Sequence, residues 1–132
     1  ILAALLLRRR RDRLASDVSY ARYTRAHRRA VRELKAAGKK TENDRDFVSR
    51  VQNAVLHYIA DRLGRPREGI VFSEVRPELS ERNISGDTLD GIEKLIEDLN
   101  YYLFAPGEKS RASKKLLESA RKLVDEMDGA FK

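Results

Sequence analysis

His27 and His57 are the only histidines in the chain, and there is no cysteine. Nucleophilic catalysis needs a Ser or Cys beside a His that a carboxylate orients. The two histidines stand 30 positions apart, which is no metal-ligand spacing. His27 falls on the apolar seam of a helix and reads as a packed or interface histidine. His57 falls off the stripe of its helix and reads as exposed. Glu93, Glu97 and Asp98 cluster on one helix among lysines, as a solvated face does. No GxxxxGKS/T or GxGxxG segment offers a phosphate cradle. The expectation is a non-catalytic protein with no metal, cofactor or small-molecule substrate.

The elements that carry these residues read as helices almost throughout. Of the 132 residues, 41% are hydrophobic and 37% charged, a balance typical of helices with well-solvated outer faces. Residues 2–37 lack Pro and Gly and are rich in Ala, Leu and Arg, all good helix formers. Gly38 suits a C′ position, and Thr41 or Asn43 suits the cap of a second helix. Over 44–63, Phe47, Val51, Ala54, Val55, Tyr58, Ile59 and then Leu63 recur at steps of three and four. Gly64 and Pro66 end that helix. Ser73 is expected to cap a short helix to about Arg82, with Asn83 left-handed after it.

Ser85 or Asp87 caps the next helix, whose stripe is Leu89, Ile92, Leu95, Ile96, Leu99 and Leu103. Ala105-Pro106-Gly107 is a turn. The last helix, about 109–128, buries Leu116, Ala120, Leu123, Val124 and Met127. The fold expectation is therefore all-α: a long N-terminal helix followed by a compact four-helix bundle, one helix short, with the domain line drawn between 8–37 and 44–132.

Charge is unevenly placed. Residues 1–40 hold 13 Lys and Arg against three acids, a balance of +10, while residues 41–132 hold 15 against 18, a balance of −3. The most basic stretch is "LLLRRRRDR", residues 5–13, in which three leucines run straight into four arginines. A solvated helix, a nucleic-acid-binding arm and the end of a transmembrane helix all compete for it. Arginines neutralise phosphates without needing a fold. Arginines directly after an apolar run also match the positive-inside pattern, each adding about 1 kcal/mol of attraction to an anionic leaflet. Ile1–Leu7 supplies seven apolar residues where a span needs about 20. The chain opens without Met inside that run, so it is expected to be a piece of a longer protein.

A wheel over residues 20–34 places Tyr20, Tyr23, His27, Ala30, Val31 and Leu34 in one arc, with Arg22, Arg25, Arg29 and Arg32 opposite. A stalk leading into a docked helix has this form. A base-reading helix more often carries Asn, Gln or Ser among its arginines.

In order and spacing, "RRRRDR", "YARYTRAHRRAVRELKAA", "DFVSRVQNAVLHYIADRLG", "FSEVRPELSERNIS" and "LNYYLFAPGE" cover nearly the whole chain. Together they resemble the C-terminal cytoplasmic tail of the BatD (oxygen-tolerance, aerotolerance) membrane proteins. Asn83 departs from the glycine expected there. The resemblance implies a periplasmic part ahead of residue 1 and one transmembrane helix ending near Leu7. It places this segment on the cytoplasmic side of a bacterial inner membrane. It also implies MoxR-type AAA+ ATPases and von Willebrand A-domain proteins as partners.

On this reading Arg8, Arg9, Arg10, Arg11 and Arg13 meet an anionic membrane surface. Leu56, off its stripe, and the aromatic group Tyr101, Tyr102 and Phe104 are candidate partner contacts. The alternative is a soluble helical nucleic-acid-binding protein with a basic N-terminal arm. Its best hook is the Phe72–Glu81 segment, sized like the first half of a helix-turn-helix, though Glu74, Glu78, Glu81, Asp87 and Asp90 suit phosphate poorly. Residues 1–7, left bare in water, are expected to hide through self-association.

Overall fold

The computed structural model describes residues 2–39, 41, 43–104 and 109–131, with side chains from Ala21 onward except those of 109 and 110. These residues form five helices and no strand: α1 (Leu2–Lys39), α2 (Asp44–Leu63), α3 (Phe72–Glu81), α4 (Gly86–Tyr102) and α5 (Lys109–Phe131). Among them no helix is long and apolar enough to cross a membrane. The Ala105-Pro106-Gly107 turn lies outside the described residues.

Local chemistry explains most of the boundaries. Asn43 caps α2, its side chain accepting the Asp46 N–H at 2.8 Å. Asp44 and Asp46 then sit in the positive first turn. Gly64 ends α2 in a left-handed conformation, φ 67°, that a glycine adopts without steric cost. Ser85 caps α4 by accepting the Thr88 N–H. Asn83 is left-handed, at φ 67°, as its type allows.

Two boundaries differ from expectation. Gly38 is not the C′ residue of the first helix but lies inside it, one residue before its end. A Cβ there would come within 3.1 Å of Leu117 Cδ1, so the α1 backbone packs closely on α5 at this point. Ser73 does not cap α3. The helix begins at Phe72, with Val71 at the cap position and no side-chain bond there. The helix thus starts two residues earlier than a Ser73 cap would place it, with Phe72 buried in its first turn.

α1 runs antiparallel to both α2 and α5. Its Arg22 meets Asp61 late in α2, and its Tyr23 donates to the Phe131 carbonyl at the end of α5. Ala26, Ala30, Leu34 and Ala37 form the buried edge of α1, at steps of four, four and three. Three alanines on that edge let the α1 backbone come close to its neighbours. They share one core with Val51, Ala54, Val55 and Ile59 of α2, Leu89, Ile92, Leu95 and Leu99 of α4, and Leu116, Ala120, Val124 and Met127 of α5. The short α3 adds Phe72, Val75 and Leu79 and packs on α4. The line drawn between 8–37 and 44–132 therefore does not divide the core, because the second half of α1 is one of its walls.

The seam of α1 is also rotated from the expected one. Tyr23, His27 and Val31 are only half-buried, and they flank the alanine edge on the α5 side. Arg22 and Arg29, expected on a solvated back, flank it on the α2 side.

Leu34 is 5% exposed, so truncating it leaves a cavity between α1 and the rest of the core. Leu34→Ala is expected to cost about 2–4 kcal/mol in urea unfolding. A cost below about 0.5 kcal/mol, the level of an ordinary surface change, would mean that α1 is not part of the core.

Candidate functional site

Two neighbouring charged residues at the end of α2 are buried, and each recruits partners from other elements. Asp61 is 2% exposed. Arg67 grips it with a two-pronged bond, Nε to Oδ1 and Nη2 to Oδ2, both 2.9 Å. Arg22 Nη2 donates to Oδ1 at 3.0 Å, and Arg29 Nη1 donates to Oδ2 at 3.4 Å. One buried carboxylate thus ties α1 and the α2–α3 loop to α2. The three guanidinium groups reach it from a partly open side, each side chain about a third exposed.

Arg62 points the other way. Its guanidinium lies 4.0 Å from the centre of the Tyr23 ring and 5.1 Å from that of Phe131, and it bonds Asp128 of α5. Its Nε donates to the Tyr58 hydroxyl at 3.2 Å, and that hydroxyl donates to Asp128 Oδ1 at 2.9 Å. Burial acts to raise the Asp128 carboxyl. The bonds from Arg62 and Tyr58 outweigh it and hold the group below the usual carboxylate range. Burial raises the Tyr58 hydroxyl well above its ordinary value. Asp61 and Arg62 are thus each held by partners from other elements.

The histidines do not meet each other. His27 Nε2 lies 2.7 Å from Asp125 Oδ1 and bridges α1 to α5, as an interface histidine does. His57 is half-buried rather than exposed, and it lines a small hollow with Glu33, Ala36, Arg50 and Asn53. Glu93, Glu97 and Asp98 are exposed. Among the described residues, no group of three His, Asp or Glu could hold a metal ion.

A wide concavity lies on the α1–α5 seam. It is a groove of about 860 Å³, lined by Val31, Leu34, Gly38 and Leu117 with charged side chains along both rims. Its lining is mainly apolar, yet none of the described side chains fills it. Periodicity alone does not reveal it, because the valley forms only where Val31 of α1 and Leu117 of α5 come side by side.

Of the four candidate contacts, the structure separates two from two. Leu56 is 7% exposed and sits in the core, so its off-stripe position is covered within the chain. Tyr102 is 6% exposed, its ring 5.4 Å from that of Phe47. Burial removes both from any free surface. Tyr101 and Phe104 are 71% and 84% exposed at the end of α4 and remain available. Arg8, Arg9, Arg10, Arg11 and Arg13 lie on turns of α1 whose side chains are outside the described residues, as do the side chains of Leu2–Leu7.

Comparison with family models, with curated proteins and with solved structures found no match to this chain.

The Glu33 carboxyl is raised above its ordinary 4.5, first by burial and then by Asp61, with His57 and Arg29 opposing. The folded protein therefore holds this proton more tightly than the unfolded chain. Ionised Glu33 weakens the fold above its folded pKa, and the penalty fades as pH falls toward 4.5. Glu33→Gln is expected to raise Tm at pH 7, with the gain shrinking toward pH 4.5 in thermal scans. A gain that grows on acidification would contradict the sign.

Proposed function

We propose that this chain is a non-catalytic, cytoplasm-facing interaction module of a membrane-anchored, BatD-like protein. Its first helix is the stalk. Arg8, Arg9, Arg10, Arg11 and Arg13 lie against the anionic inner leaflet just below a transmembrane span. The bundle below is a long N-terminal helix with four shorter ones, and it presents helical surfaces to protein partners. By the resemblance drawn from the sequence, those partners are MoxR-type AAA+ ATPases and von Willebrand A-domain proteins.

The observation that carries this reading is the continuity of α1. One unbroken helix of 38 residues joins the apolar opening, the arginine block and the core. At about 1.5 Å per residue it is some 57 Å long, and Arg13 stands about 20 Å from Ala26, the first buried residue described. Whatever holds the first turns therefore also sets the position and orientation of the bundle. A flexible basic arm would not need such a joint.

The ion-paired arginines of the body lend the nucleic-acid alternative no support. Arg76 pairs with Asp90 and Glu93, Arg65 with Glu78, and Arg22, Arg29 and Arg67 with Asp61. These arginines are neutralised before a phosphate could reach them, and Glu74 and Asp87 beside them are exposed.

Membranes from cells making the full-length parent polypeptide provide the test. The protein is expected to stay in the pellet after an alkaline carbonate wash. Complete release to the supernatant, together with retention on duplex DNA, would favour the basic-arm alternative instead.

A further inference from the structure

We propose that the groove between α1 and α5 receives an amphipathic helix from a protein partner, its apolar stripe edged with Asp or Glu where it meets α1. This deepens the interaction-module reading and rests on it, but it does not depend on membrane anchorage.

Arg25, Arg28, Arg32, Lys35 and Lys39 recur at steps of three, four, three and four, one straight ridge along the helix. Among the described residues none of the five is in an ion pair. Arg22 and Arg29, on the same helix but turned toward α2, are both bound to Asp61. Among the described residues one carboxylate, Asp61, thus serves both inward-turned arginines of α1, and none reaches the ridge.

The ridge borders an apolar floor. Val31, Leu34, Gly38 and Leu117 line the groove, with Lys35 and Lys39 on the α1 rim. On the α5 rim the charges close among themselves. Arg121 binds Asp125 at 3.2 Å, and Lys122 lies 3.9 Å from Glu126. Glu118 is the one acid of the lining outside these pairs, so the occupant can carry a single basic residue on that side. An unpaired cationic edge, an apolar floor and a self-neutralised far edge describe the complement of one helix type.

A helix is the form that fits. The floor is a valley between two antiparallel helices, which a third helix fills by ridges-into-grooves packing. From Val31 to Lys39 it spans about 12 Å, a little over two turns, enough for apolar anchors at i, i+3 or i+4, and i+7. Nucleic acid or a lipid headgroup layer would satisfy the ridge but offers no apolar side chains at this spacing for the floor.

The test uses the whole chain and two labelled helical peptides of about 18 residues, long enough for several turns. Both carry the same leucine stripe, one edged with Glu and the other with Lys. Fluorescence polarisation should show the Glu-edged peptide binding about tenfold or more tightly than its sister. The double change Lys35→Glu and Lys39→Glu should reverse that preference, a gain that misfolding cannot produce. Val31→Asp should weaken both, with circular dichroism confirming the fold. Equal binding of the two peptides, no binding of either, or no reversal would overturn the proposal. So would a wild-type dimer in sedimentation velocity that the double change dissolves while neither peptide binds, which assigns the groove to a second copy. Duplex DNA or anionic vesicles displacing the peptide from wild type, and binding the Val31→Asp variant undiminished, would assign the ridge to a polyanion. Membrane retention is measured separately, so the anchored-module reading and this one can fail independently.

Discussion

A buried charge must find partners, and in this protein that requirement decides where the first helix goes. Asp61 is enclosed near the end of α2 and can be satisfied only by arginines brought to it from elsewhere. Two come from α1 and one from the loop after α2. Arg62, its neighbour in sequence, performs the converse task and draws in Tyr23 of α1 with Asp128 and Phe131 of α5. Leaving either charge buried without its partners would cost several kcal/mol. The pair therefore fixes one register of α1 between α2 and α5. The alanine edge of α1 makes that register close-packed, and the α1–α5 groove exists because of it.

Much of this was legible in the residue pattern. The stripe of α2 through Ile59 is buried as its period demands, and so are Leu116, Ala120, Leu123, Val124 and Met127 of α5. The caps Asn43 and Ser85 and the left-handed Asn83 follow from side-chain chemistry within a few residues. Such features are local, so a single sequence displays them.

What was not legible depended on residues distant in the chain. The stripe of α2 seemed to continue to Leu63, yet Leu63 is half-buried and Arg62 occupies the inward position, because aromatic rings from α1 and α5 cover its guanidinium. The signal was present: Arg62 follows Tyr58 by four, on the same face. Hydropathy hides it, since arginine counts as polar whatever it stacks on. On α1 the wheel gives weight to the large rings of Tyr23 and His27; Ala30 and Leu34 of the expected arc are buried, but the interior encloses the small Ala26 and Ala37 with them rather than those rings. Leu56 and Tyr102 look free when each helix is read by one stripe, whereas a helix with neighbours on two sides buries a wider arc.

A helix welded into a core cannot pivot freely, so its outer end and the bundle move together. The same insertion leaves a row of cations on the outward face of α1 and an apolar valley beside it. Native-state hydrogen exchange tests the insertion most directly. The account predicts that amides from Ala26 to Ala37 exchange only through global unfolding, with the same free energy as those around Val55 in α2 and Val124 in α5. Exchange of that stretch through a separate, lower-energy opening, while α2 and α5 stay protected, would show α1 to be a detachable stalk and contradict it.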